Sequence, residues 1–303
     1  MKKVIIAGGT GHLGSSLSQR LVEWGYQVQV LTRKKVTRSE DGVEYVLWDG
    51  ETWGSWSDCI NHADTVINLC GMSVNCRYTA SNKLKLIHSR VRSTEVLGHA
   101  IRNADCPPRI WINASSSAYY GFSSVMLDED APPGGDFPAR ICAEWEKSFY
   151  GTETPHTRKV AWRLGIVLQR EKGLIIPFAN LVKRFVGGKL GSGEQYFTWI
   201  HEEDFLNAAL WTIDNASSSG VYNITSPKPV TNNDFMRALR RAMGVSIYFP
   251  LPEWMLKVGG KIIGTEPYLI LKGRRIIPAR LSASGFTFQY ADINSALMNL
   301  YQN

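Results

Sequence analysis

Gly8, Gly11 and Gly14 follow one another at the spacing G-x-x-G-x-x-G, with Gly9, Thr10, His12 and Leu13 between them. That spacing suits the grip on a pyrophosphate. Glycines let the chain turn tightly, let backbone N–H groups approach an anion, and let a strand and a helix pack closely behind the turn. Taken alone, such a triplet also describes an ordinary tight strand–helix turn. Here the short apolar run Val4–Ala7 comes before it, and Leu13, Leu17 and Leu21 recur after it at helical spacing, closed by Gly25. A buried strand, a glycine turn and an amphipathic helix are the setting that dinucleotide binding requires.

The end of the next strand, where Val28 and Val30 alternate with Gln27 and Gln29, bears on which dinucleotide. An acidic residue there would hydrogen-bond the adenosine ribose and favour NAD. The chain instead carries Thr32 and Arg33, followed by Lys34 and Lys35. A hydroxyl and a guanidinium suit a 2′-phosphate, so the expected cofactor is NADP, with NADPH preferred over NADH. The plainer reading of the same residues is a solvated basic loop.

Strands that could position this site recur along the chain at Val43–Trp48, Thr65–Leu69, Arg109–Ala114 and Lys159–Leu164, with a long helix from about Ala80 to Ile101. Strands alternating with helices give an α/β fold, a Rossmann-type doubly wound parallel sheet with helices on both faces. After Val167 the pattern changes. Residues 173–193 are apolar and broken by glycines, Val221–Thr225 is strand-like, and prolines stud residues 227–303. The expectation is a nucleotide-binding domain over 1–167, completed by about 196–226, with 168–303 mainly a smaller C-terminal α/β lobe covering the substrate.

Composition narrows the partners. The 303 residues carry a net charge of +7 and are 44% hydrophobic and 20% charged, an ordinary globular balance. Residues 1–150 hold 16 basic and 16 acidic side chains, whereas 151–303 hold 18 and 11. A neutral first half offers no continuous basic patch, which argues against a nucleic-acid partner. Lys272, Arg274, Arg275 and Arg280 cluster in the cationic half. Over a cofactor cleft they would suit an anionic or phosphate-bearing small molecule; a solvated surface reads equally well. No run of about 18 apolar residues suggests a membrane helix, and the apolar run ending at Ala7 is too short for a signal sequence. Five scattered cysteines without a CxxC pair or a His/Cys cluster point to reduced thiols in the cytoplasm and to no metal site. The oligomeric state is not legible.

Several later segments carry a family resemblance. They are Asp64-Thr65-Val66-Ile67-Asn68-Leu69-Cys70-Gly71, Ser89-Arg90, Tyr119-Tyr120-Gly121, Cys142-Ala143-Glu144-Trp145-Glu146, Gly191-Ser192-Gly193-Glu194-Gln195 with Trp199-Ile200-His201, and Pro278-Ala279-Arg280-Leu281 through Gly285-Phe286. Together they resemble the extended short-chain dehydrogenase/reductase superfamily of NAD-dependent epimerases and dehydratases, and within it the YfcH-like, SDR39U1-like epimerase family protein group. The resemblance spans about residues 3–297. It implies that Gly8, Thr10, Gly11, His12, Leu13 and Gly14 hold the pyrophosphate and that Thr32 and Arg33 meet the 2′-phosphate. It further implies that Leu69, Cys70 and Gly71 line the adenosine side, that Arg90 contacts the cofactor, and that the segment ending at Val167 passes the nicotinamide. For Arg90 a solvated helix face is the alternative, and Cys70 reads as a packing residue, not a nucleophile.

In that superfamily a Ser or Thr after the fifth strand positions the substrate oxygen. A Tyr-x-x-x-Lys on the next helix passes the proton, its lysine lowering the tyrosine pKa and binding the nicotinamide ribose. Ser115 matches the hydroxyl position, with Ser116 one residue along; serines at a strand end are also common turn formers. The Tyr-x-x-x-Lys is missing, its positions falling on Pro138 and Cys142. Tyr119 or Tyr120 could stand in as proton donor for a carbonyl reduction. A tyrosine at its ordinary pKa costs about 4 kcal/mol to ionise at neutral pH, which disfavours ordinary alcohol oxidation. Two functions follow: an NADP-dependent oxidoreductase or epimerase acting on a small polar carbonyl or sugar-like substrate, or an NADP(H)-binding or redox-sensing protein that has lost the relay. His201 is expected to be structural or to rim the pocket, and Trp199 to lie near it.

Overall fold

In β1 (Lys3–Ala7), Val4 and Ile6 face one side and Ile5 and Ala7 the other, and all four are buried. A strand that is apolar on both faces must sit in the middle of a sheet covered twice. The computed structural model, which describes residues 1–34, 42–263, 266 and 268–302, places it there. The chain continues with α1 (His12–Glu23), β2 (Gln27–Thr32), β3 (Val43–Leu47), β4 (Thr65–Asn68), α2 (Ala80–Arg102), β5 (Ile110–Ser116), β6 (Ser123–Leu127), α3 (Phe137–Gly151) and β7 (Arg158–Leu164). It then forms β8 (Ile166–Leu168), α4 (Ile175–Lys183), β9 (Tyr196–Phe197), β10 (Trp199–His201), α5 (Glu202–Asp214) and β11 (Gly220–Ile224). The last segments are β12 (Val230–Thr231), α6 (Asn232–Ala242), α7 (Glu253–Ile263), α8 (Tyr268–Leu271), β13 (Arg274–Ile276), α9 (Ala279–Ala283) and α10 (Ile293–Gln302).

Seven strands form the main sheet in the order β11-β7-β5-β4-β1-β2-β3, every neighbour parallel. Leu17 and Leu21 of α1 with Phe205, Ala209 and Ile213 of α5 cover one face. Val96, Leu97 and Ala100 of α2 with Phe149 of α3 cover the other. The strand order reverses between β1 and β4, the switch point at whose carboxyl edge such sheets open a ligand crevice. Strand ends differ from expectation by one or two residues, and one of these shifts bears on the site. The fifth strand runs on past Ala114 because Ser115 and Ser116 stay paired with Arg163 and Leu164 of β7.

A second core gathers Phe178 of α4, Phe235 and Leu239 of α6 and Leu297 of α10 around a stacked Phe197–Phe235 pair. Trp199 is fully buried in this core, its Nε1 donating to the Lys228 carbonyl. His201 is also buried: Nδ1 accepts from the Glu203 N–H as the cap of α5, and the ring lies 3.9 Å from that of Tyr290. Arg280 pairs with Asp130 and is not among the residues lining the cavity described below, whereas Lys272 and Arg274 are. Among the described residues no helix is long and apolar enough to cross a membrane, and no cluster of His, Cys, Asp or Glu could hold a metal ion.

Candidate cofactor groove and active site

The glycine turn is built to a tolerance that side chains would break. Gly8 takes φ +80°, and a Cβ there would lie 2.8 Å from the Leu69 carbonyl carbon. A Cβ on Gly14 would lie 2.5 Å from the Gly8 oxygen and 2.6 Å from the Gly9 Cα. These contacts clamp the start of α1 onto the ends of β1 and β4. Gly11 differs: beside its missing Cβ stands only the Gly8 oxygen, at 3.4 Å, and Thr10, Gly11 and His12 are exposed. Gly11 caps α1 without a side-chain hydrogen bond, and no acidic residue occupies the first turn. The helix therefore presents first-turn N–H groups to open space over a glycine floor, with Leu13 partly buried behind them. These residues fit a pyrophosphate.

At the end of β2, Thr32 is buried and its hydroxyl accepts from the Lys34 N–H, while Arg33 is exposed. No carboxylate pairs with Arg33 among the described residues. Lys34 is exposed as well; Lys35 lies outside the described residues. Across the crevice, Leu69 N–H donates to the Ala7 oxygen and Cys70 N–H to Asn68 Oδ1, which seats the Leu69-Cys70-Gly71 turn beside β1. Burial pushes the Cys70 thiol up to about 12, with Arg33 pulling the other way, so Cys70 is inert packing.

Arg90 reaches this turn from α2. Its Nη1 donates to the Leu86 oxygen and Nη2 to the Met72 oxygen, and its guanidinium carbon sits 3.0 Å from where a Cβ on Gly71 would be. On its other side lies the Trp145 ring of α3, with the centroid 5.2 Å away. Burial pushes the Cys142 thiol up to about 11, against the pull of the nearby Arg90. Pro138 is buried in the first turn of α3, where its missing N–H costs nothing because Asp136 caps the helix through Ala139 N–H.

The three residues singled out for chemistry sit in or against one buried network. Ser115 Oγ donates to Glu146 Oε1 at 2.6 Å, and Arg163 grips the same carboxylate through Nε at 2.9 Å and Nη2 at 2.8 Å. Arg163 Nη1 also donates to the Tyr120 hydroxyl, which donates in turn to Asn223 Oδ1 at 2.7 Å. Tyr119 is only partly buried, and its ring lies on the Arg163 guanidinium, 3.4 Å from centroid to carbon. Burial opposes the charge on Arg163, yet Glu146 and Tyr120 together hold its pKa above the ordinary value. The Tyr120 hydroxyl is pushed up to about 12 by burial. Ser115 and Tyr120 thus spend their protons inside the protein.

The serine that lines a cavity is Ser117, the third of the run Ser115-Ser116-Ser117, itself buried. With Gln195, Thr198, Asn232, Lys272 and Arg274 it lines a cavity of about 60 Å³ just beyond the carboxyl ends of β5 and β7. Ile166 lines it too, whereas its neighbour Val167 packs into the main core opposite Ile200. Sequence reasoning missed Ser117, Gln195, Thr198 and Asn232. A serine triplet was visible, but which member faces the cavity depends on where the strand gives way to the turn Ser117–Tyr120.

Comparison with known proteins agrees with this geometry. Residues 4–225 match the model of the NAD dependent epimerase/dehydratase family. The chain belongs to that family. Residues 251–300 match a domain of unknown function, DUF1731. Epimerase family protein SA0724 of Staphylococcus aureus is 33% identical, over 99% of this chain and 99% of that protein. The chloroplastic SDR39U1 homolog of Arabidopsis thaliana is 30% identical, over 99% of this chain and 86% of that protein. A crystal structure of human epimerase family protein SDR39U1 (isoform 2) with NADPH superposes with a TM-score of 0.87 at 28% identity, covering 99% of both chains. The chain is thus an extended short-chain dehydrogenase/reductase of the SDR39U1-like kind, in an NAD(P)-binding family that includes epimerases and dehydratases.

Proposed function

We propose that the protein binds NADPH in preference to NADH and acts on a small, polar, anionic carbonyl or sugar-like substrate. The observation that carries the reading is Arg33, exposed at the carboxyl end of β2 with no acid beside it to receive a ribose and no carboxylate to neutralise it among the described residues. Bound NADPH would supply a hydride. The chain's own residues would do the rest: Gly8 to Gly14 hold the phosphates, Thr32 and Arg33 the 2′-phosphate, and the turn Leu69–Gly71 the adenosine. Ser117 and Lys272 face the cavity, where a hydroxyl orients a substrate oxygen and an ammonium attracts an anion. Arg163, held by Glu146 and Tyr120, fixes the ring of Tyr119, the partly buried phenol of the set. A cytoplasmic setting for the protein is part of the proposal, and the five unpaired cysteines support it.

A second reading, an NADPH-binding or redox-sensing protein without turnover, is favoured by Pro138 and Cys142 at the relay positions and by the bond from Ser115 to Glu146. A screen of small carbonyls followed by NADPH loss separates the two. Consumption with 2-oxo acids or phosphorylated carbonyls, with KM raised by Lys272→Ala, supports the enzyme. Tight NADPH binding with no turnover across the panel moves the assignment to the sensor.

A further inference from the structure

The relay positions on α3 lack a cation, yet a cation stands beside them. Close packing runs from the phosphate cradle to it: a Cβ on Gly8 would strike the Leu69 carbonyl, Gly71 follows two residues on, and Arg90 fills the space that a side chain on Gly71 would occupy. Past Arg90 come Trp145 and Cys142 of α3, and the Cys142 thiol also feels the Ser116 backbone. Arg90 therefore bridges the groove from the end of β4 to the end of β5.

Two features set this guanidinium apart from a packing residue. Among the described residues no carboxylate pairs with it, and its two hydrogen bonds both go to carbonyls, which leaves three of its five N–H groups for something else. A partly buried cation without a counter-ion is costly unless a ligand completes it. Its position is also fixed. One turn along α2, Thr94 accepts from Trp145 Nε1 and Asn68 Nδ2 and donates to the Arg90 oxygen, tying α2 to β4 and α3.

Resting on the reading that the groove holds NADPH, we propose that Arg90 carries, from the opposite wall, the fixed charge that a lysine at position 142 would supply to the nicotinamide half of the cofactor. Gly71 is the residue that makes room for it. The cysteine at 142 then follows from electrostatics: a second cation against Arg90 would repel it inside the protein.

Calorimetric titration with NADPH and with 2′,5′-ADP, which lacks the nicotinamide half, tests this. Arg90→Met and Arg90→Gln should each weaken NADPH about tenfold or more and 2′,5′-ADP less than about twofold. Cys142→Lys should bind poorly and unfold at lower temperature, while Arg90→Met with Cys142→Lys should recover most of the NADPH affinity. Wild-type affinity for NADPH in both folded Arg90 variants overturns the proposal. Equal loss of the two ligands does so too, because it places Arg90 on the adenosine half or in the scaffold. Failure of the wild-type protein to bind NADPH is a different result and overturns the cofactor reading itself.

Discussion

Ser115 Oγ and Glu146 Oε1 lie 2.6 Å apart, with Arg163 closing the other side of the same carboxylate. Glu146 and Arg163 expose only 7% and 5% of their side chains, so each neutralises a charge that the interior would not otherwise tolerate. Removing one partner strands the other. Glu146→Gln should cost about 3 kcal/mol in urea unfolding at neutral pH. Glu146→Leu together with Arg163→Met should cost less than either change alone, a non-additivity that a double-mutant cycle measures directly.

The same relationship assigns different work to neighbouring serines. Ser115→Ala deletes one internal hydrogen bond and should lower stability by about 1–2 kcal/mol with little change in KM. Ser117→Ala should leave the unfolding midpoint nearly unchanged and raise KM for whichever carbonyl the screen identifies. A larger kinetic defect from Ser115→Ala would return the substrate-facing role to that residue.

The parts of the candidate groove could be picked out from the sequence, and the reason is locality. The glycine turn, Thr32-Arg33 and the turn Leu69–Gly71 each lie within a few residues of a strand end, where spacing and alternation speak directly. The cavity was not legible, because Ser117, Gln195, Asn232 and Lys272 come from four distant stretches that only the packing of the lobe brings together. The bond from Ser115 to Glu146 was not legible for a related reason. As a strand residue it shares a face with Asn113 and turns toward α3, and whether the strand ends at Ala114 or Ser116 depends on its neighbour β7. Glu146 read as part of a family motif, yet nothing local reveals that it meets Arg163, 17 residues away.

Two glycines in one turn should answer differently to the same change. Gly14→Ala drives a Cβ into backbone at 2.5 Å and should lose about 2 kcal/mol of stability along with cofactor binding. Gly11→Ala meets one atom at 3.4 Å, so the protein should fold normally while NADPH affinity falls, because the added methyl stands at the mouth of the cradle. Thermal unfolding paired with calorimetry distinguishes these outcomes.

Acid should loosen the junction at α5. Burial lowers the His201 pKa, so the unfolded chain takes up its proton first. The contribution of His201 is fully present above the ordinary histidine value of about 6.5 and is lost as pH falls through it toward the lowered value. Protonating Nδ1 would also remove the acceptor for Glu203 N–H. His201→Asn retains a capping oxygen without a titrating ring, and should flatten the fall in stability between neutral pH and pH 5. An unchanged slope in that variant would assign the acid sensitivity to another group.

Parallel calorimetric titrations of the wild-type protein with NADPH and NADH test the central claim most directly. Contacts from Arg33 and Thr32 to a 2′-phosphate, at about 1.5–3 kcal/mol for a charged hydrogen bond, should make NADPH at least about tenfold tighter. Arg33→Ala should erase that difference while leaving NADH affinity intact. Equal or tighter binding of NADH by the wild-type protein would contradict the assignment of Arg33 and, with it, the proposed choice of cofactor.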